Sequence, residues 1–175
     1  MSKIINKIIS FLGKIIGRKI LLVPENNKYM QAVKSNLGFW YCGNVYDTSD
    51  IAYGISVNGV GEKEETNVVH SILNLLPKNF VLLDIGANTG YYGIMSAYLF
   101  PESKSYSFEP LKNHCDLIKE TIYLNRLTNT NILQYALGEN NENKDIYIAG
   151  SGTTLIKEFT TNTKNKINIK IPPAT

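Results

Sequence analysis

The residues best suited to chemistry lie in two short runs. The first is Asp84-Ile85-Gly86-Ala87-Asn88-Thr89-Gly90, a carboxylate followed by two glycines spaced four apart. The second is Ser107-Phe108-Glu109-Pro110, which sets Glu109 19 residues beyond Gly90. Glycine is needed where a backbone takes positive φ or must let a ligand come close. The amides of such a turn, with the N-terminus of a following helix, favour polar or anionic ligand groups. The dinucleotide fingerprint GxGxxG is absent, because Asn88 stands where the second glycine would be. Close approach of a pyrophosphate is therefore disfavoured, and Asp84 would repel phosphates while suiting a cationic amine. An acid about 20 residues past the turn is placed to accept from both ribose hydroxyls.

A ligand with an amine, a ribose and no pyrophosphate describes S-adenosylmethionine. The expected cofactor contacts are Asp84, Gly86, Ala87, Asn88, Gly90 and Glu109. The competing explanation for Asp84 is that it caps the helix that follows. A nicotinamide-dependent oxidoreductase is disfavoured by the missing GxGxxG. Other candidates are weaker. His70 and His114 read as ordinary helix-face histidines, His114 lying away from the ligand edge. Tyr91 and Tyr92 begin the helix beside the turn, where pocket lining and helix packing explain them equally well. The sequence has no metal-ligand cluster and no serine or cysteine nucleophile constellation, and it names no catalytic base.

The elements that must position these residues follow from periodicity. The apolar run Phe80–Leu83 predicts a buried strand at 80–84, with a helix at about 91–100 stopped by Pro101. A second strand at 104–108, a helix at 111–125 and a third strand at 131–136 come next. Strands alternating with helices of this length imply a parallel sheet. Upstream, 64–76 reads as an amphipathic helix with Val68, Val69, Ile72, Leu73, Leu75 and Leu76 inward, closed by Pro77. Residues 20–63 are broken by Pro24, Gly38, Gly43, Gly54, Gly59 and Gly61, and read as short strands or helical turns around the domain entrance. Beyond Gly138 the stretches 145–149 and 166–171 alternate apolar and polar, as a hairpin would.

Residues 3–17 form a basic amphipathic helical pattern, with Ile4, Ile5, Ile8, Ile9, Phe11, Leu12, Ile15 and Ile16 on one face. Such a helix either lies on an anionic membrane surface or packs on the domain or a second subunit. The expected organisation is a basic N-terminal helix (1–19), a cap region (20–79) and a cofactor-binding half (80–175). A doubly wound sheet needs strands on both sides of the first, so the sheet is expected to be incomplete after strand 3.

The charge pattern points the same way. Lys3, Lys7, Lys14, Arg18 and Lys19 give the first 19 residues +5 with no acid, so with a total of +3 the remainder carries −2. The net charge of +3 is too small to argue for a nucleic-acid binder, and no nucleic-acid partner is expected. Cys42 and Cys115 show no CxxC spacing and read as buried free thiols. No apolar run approaches the ~18 residues that cross a bilayer, and no signal-peptide pattern opens the chain. The expected location is the cytoplasm.

Asp84-Ile-Gly-Ala-Asn-Thr-Gly-Tyr-Tyr-Gly93, with Phe108-Glu109-Pro110 at the next strand end, resembles the FkbM-type family of S-adenosylmethionine-dependent methyltransferases. Gly43–Asp47, Gly61-Glu62…Glu65 and Tyr135-Ala136-Leu137-Gly138 also look like that family, so the likeness spans roughly residues 38–175. It implies a Rossmann-like class I methyltransferase sheet. Asp84, Gly86, Asn88 and Gly90 would hold the methionine part and Glu109 the ribose. It further implies O-methylation of a hydroxyl on a sugar or secondary metabolite, with a small-molecule or glycan acceptor. The family's acidic fourth-strand segment has no counterpart here, since Lys170-Ile171-Pro172 begins none. A truncated, non-catalytic cofactor-binding module is therefore the alternative expectation.

Overall fold

The computed structural model describes residues 31–138, 143–147 and 166–170. The predicted helix at 3–17 lies outside them. Strands β1 (Gln31–Lys34) and β2 (Trp40–Gly43) form an antiparallel hairpin, followed by helices α1 (Ile51–Asn58) and α2 (Lys63–Leu75). Strand β3 (Val81–Ile85), helix α3 (Tyr91–Leu99), strand β4 (Lys104–Phe108), helix α4 (Lys112–Asn125) and strand β5 (Thr130–Leu133) then alternate. Strands β6 (Asn143–Tyr147) and β7 (Lys166–Lys170) pair antiparallel with each other, as the alternation at 145–149 and 166–171 predicts.

β3, β4 and β5 make a parallel sheet in that order, with Asp84 opposite Ser107 and Ile85 opposite Phe108. This is a Rossmann-like α/β arrangement. Side chains alternate across the strands, which divides the sheet into two unlike faces. One face carries Leu82, Asp84, Ser105 and Ser107 and is covered by α3. Helix α3 lies close because Gly93 has no side chain: a Cβ there would meet Ser107 Oγ at 2.5 Å. The other face carries Val81, Leu83 and Ile85, which are 58%, 56% and 62% exposed, so the strand expected to be buried is covered on one face only, because α3 packs on the opposite side.

The core gathers Phe39, Tyr41, Ala52, Ile55, Leu73, Ala87, Tyr91, Ile94, Met95 and Ile118. The hairpin and α1 thus share one core with the helices of the parallel sheet. Asn125 at the end of α4 ties the hairpin down, accepting from Trp40 N–H through Oδ1 at 2.7 Å and donating from Nδ2 to Trp40 O at 2.6 Å. Asp50 caps α1 by accepting from Ala52 N–H at 2.8 Å.

The expected inward set of α2 needs correction. Leu73 is buried and Val69 is packed against the core, but Val68, Ile72, Leu75 and Leu76 are exposed. Six apolar residues in nine positions exceed the arc that one neighbour can cover, so they form two stripes and only one meets α3. The third parallel strand is also shorter than expected, ending at Leu133 rather than 136.

Candidate functional site

The candidate site lies at the carboxyl ends of β3 and β4, where open α/β sheets hold ligands. The backbone leaves β3 through a tight turn in which Gly86, Asn88 and Gly90 take φ of +74°, +52° and +80°. The amides of Gly86 and Ala87 both donate to Phe108 O at 3.0 Å, fastening the turn to the end of β4. The two glycines answer different needs. A Cβ on Gly90 would meet Ile118 Cγ1 at 2.7 Å, so this glycine lets the turn sit on α4. A Cβ on Gly86 would have nothing within 4 Å, so the turn is open on that side.

Glu109 is buried, 5% exposed. Its Oε2 accepts from Asn88 N–H and its Oε1 from Leu111 N–H, each at 2.9 Å. One carboxylate therefore joins the turn after β3 to the first turn of α4. His114 also belongs here, contrary to its expected position away from the ligand edge: its Nδ1 lies 3.4 Å from Glu109 Oε1. The reason is geometric. Glu109 sits just ahead of α4, and the third residue of that helix reaches back over its N-terminus.

Asp84 points to the α3 side, and its Oδ2 accepts from Gly93 N–H at 3.0 Å. Gly90, the N-cap residue of α3, offers no side chain. Asp84 thus satisfies one of the orphan amides of the helix from outside it, which is the capping role weighed above. Burial holds its carboxyl above the ordinary carboxylate range, opposed by the Gly93 bond, and the charge of Glu109 pushes it further up.

The neighbouring tyrosines separate cleanly. Tyr91 is core: its hydroxyl accepts from Gly61 N–H and Thr66 Oγ1, both at 3.1 Å. Tyr92 instead donates to Glu62 Oε2 at 2.7 Å on the outside of the helix. Thr89 is anchored by a hydrogen bond between its Oγ1 and the hydroxyl of buried Tyr41. Sequence reasoning missed Tyr41 because nothing local links it to Thr89, 48 residues away.

Both cysteines are buried free thiols, with burial pushing Cys42 up to about 11 and raising Cys115 too. Neither is poised as a nucleophile. His70 lies beside Phe100, with ring centroids 6.4 Å apart and the rings tilted by 55°, rather than in the site. Among the described residues no three His, Cys, Asp or Glu side chains could hold a metal ion, and no helix is long and apolar enough to cross a membrane.

No family model and no curated protein matches the chain. Solved structures do. The precorrin-6y C5,15-methyltransferase of Geobacter metallireducens GS-15 is 21% identical over 43% of this chain and 40% of that one, with a TM-score of 0.38. M. jannaschii TYW2 in complex with AdoMet is 20% identical over 66% of this chain and 46% of that one, at a TM-score of 0.44. P. horikoshii TYW2 in complex with MeSAdo is 14% identical over 77% and 50%, at a TM-score of 0.45. The chain spans half or less of the length of each.

Proposed function

We propose that the turn after β3 and the end of β4 hold S-adenosylmethionine, and that the chain is the cofactor-binding part of an FkbM-like O-methyltransferase. The observation that carries this is the Asn88–Glu109 hydrogen bond, which brings a left-handed turn and a carboxylate together at the sheet's carboxyl edge. The residues present fit the group. The open side of Gly86 admits a ligand against bare backbone. Among the described residues no hydrogen bond reaches Asp84 Oδ1, which can meet an ammonium, and Glu109 keeps acceptor capacity on Oε2 for a ribose hydroxyl.

When bound, the cofactor supplies a sulfonium methyl for transfer to a hydroxyl oxygen. The chain's own part is to bind and orient. Glu109 holds the turn in its left-handed course, Tyr41 secures Thr89, and Asp84 holds α3 against the sheet. A hydroxyl acceptor on a sugar or secondary metabolite, and a cytoplasmic location suited to two free thiols, complete the proposal. One observation favours a second reading, a module without catalysis of its own: the exposed apolar residues of β3 and α2 leave room for further protein beside the site.

A thermal-shift comparison tests the proposal. S-adenosylhomocysteine should raise the melting temperature of the full chain, since a ligand at 100 times its Kd adds about 2.7 kcal/mol. NAD should leave it unchanged. A shift with NAD alone would replace the proposal by a dinucleotide site.

A further inference from the structure

We propose that His114 is a positioning residue for Glu109: its ring takes up Oε1 and leaves Oε2, the oxygen beside Asn88, to meet the ligand. The inference rests on the proposed cofactor site and deepens it. A carboxylate offers about four acceptor positions, two on each oxygen. Leu111 N–H fills one position on Oε1, and Asn88 N–H fills one on Oε2. His114 Nδ1 lies 3.4 Å from Oε1, and the other position on that oxygen is the one we assign to it.

The imidazole has little else to do there. Its side chain is only 16% exposed, and Nδ1 is buried without a formed hydrogen bond. A buried nitrogen in that state calls for an explanation. Turned toward a carboxylate, it must carry the hydrogen, because a bare lone pair would face the negative charge. Closing this contact from 3.4 Å to the roughly 2.8 Å of a charge-assisted hydrogen bond would complete the pair.

Two consequences follow for Glu109. Oε1 becomes saturated by groups of α4, so the carboxylate plane is set by the helix rather than by the ligand. A single acceptor position remains, on Oε2 at the mouth of the glycine turn. Glu109 then takes one ribose hydroxyl instead of the two that its sequence position suggests. The ring thus selects which oxygen reads the ligand without touching the ligand itself.

Two measurements on the full chain decide this. Nitrogen-15 NMR of ligand-free, histidine-labelled protein reads the tautomer, and His70→Gln assigns the signals because His70 is the other histidine. The expected result is a hydrogen on Nδ1 of His114; the Nε2–H tautomer would overturn the proposal. Calorimetric titration with S-adenosylhomocysteine is the second. His114→Ala should bind about ten-fold more weakly, the worth of a hydrogen bond to a charged group. His114→Asn, whose amide reaches where Nδ1 stood, should stay within about two-fold of wild type by keeping that donor. Equal affinity for His114→Ala and wild type would overturn the positioning role, as would a loss in His114→Asn as deep as in His114→Ala. If wild type itself binds no S-adenosylhomocysteine, the cofactor proposal fails, while the tautomer still decides whether His114 pairs with Glu109.

Discussion

Glu109 Oε2, at the carboxyl end of β4, accepts the backbone N–H of Asn88 at 2.9 Å, in the turn that leaves β3 21 residues earlier. Asn88 takes φ of +52°, a left-handed conformation that asparagine adopts more readily than most non-glycine residues. The bond satisfies the Asn88 amide and holds the turn to the end of the neighbouring strand. It makes Glu109 structural, and under the proposed cofactor role its removal has two separable effects.

Replacing Glu109 by Ala strands the half-buried amide of Asn88 and the buried amide of Leu111. A loss of roughly 3 kcal/mol is expected, since each such bond to a charged group is worth about 1.5–3 kcal/mol and some rehydration offsets it. Denaturant unfolding followed by circular dichroism measures it. Glu109→Gln keeps an acceptor for one amide and should lose about half as much; equal stability of Glu109→Ala and wild type would remove the bracing role.

Asp84→Asn should stabilise the fold at neutral pH while weakening the ligand. Burial raises the Asp84 carboxyl in the folded protein above its unfolded value. The folded state therefore binds more protons through that window, and stability falls as pH rises from the ordinary carboxylate value through the raised folded one. Asparagine keeps an oxygen for Gly93 N–H and removes the buried charge. Melting curves at pH 4 and pH 7 check the sign: the variant's advantage should appear at pH 7 and vanish at pH 4. At this chain length each 1 kcal/mol gained is worth about 3 °C.

The two glycines of the turn should respond differently to alanine. At Gly90 both positive φ and the 2.7 Å approach to Ile118 oppose a Cβ, and a loss of about 3 kcal/mol is expected. At Gly86 only the φ term applies, about 1 kcal/mol, because the space is empty. The methyl there would instead stand where a ligand approaches. Gly86→Ala should then stay folded and bind poorly; intact binding would mean that the ligand does not use that side.

Leu83 is exposed on the uncovered face of β3, so its loss from the fold itself should cost little. Leu83→Lys is expected to leave stability within about 0.5 kcal/mol of wild type. It should lower binding of an apolar dye such as ANS, because it breaks the exposed patch formed with Val81 and Ile85. Unfolding curves and dye fluorescence on the same samples test both halves. A loss above about 2 kcal/mol would show that Leu83 is covered in solution.

Much of this was legible in the sequence, for reasons that differ by element. Strand β4 falls at 104–108 as its pattern predicts, and α3, α4 and α2 lie within a residue or so of their expected bounds. Their apolar periodicity is local, and so is the punctuation by Pro101 and the glycines. Contacts between distant segments were not legible. Nothing around Tyr41 announces Thr89, and nothing around Glu109 shows that backbone amides already hold both of its oxygens. Periodicity also counts apolar residues without saying what covers them, which is why Val68, Ile72 and Leu75 of α2 were assigned inward and stand exposed. The one signal that could have found His114 was its spacing, five residues after a strand-end acid and three into the helix. It becomes informative only once the helix start is fixed.

The most direct measurement is calorimetric titration of the folded full chain with S-adenosylhomocysteine, with Glu109→Gln alongside. Saturable heat at one ligand per chain, weakened at least ten-fold in Glu109→Gln, is the predicted result. No heat at millimolar ligand, from protein whose circular dichroism shows it folded, would contradict the cofactor site.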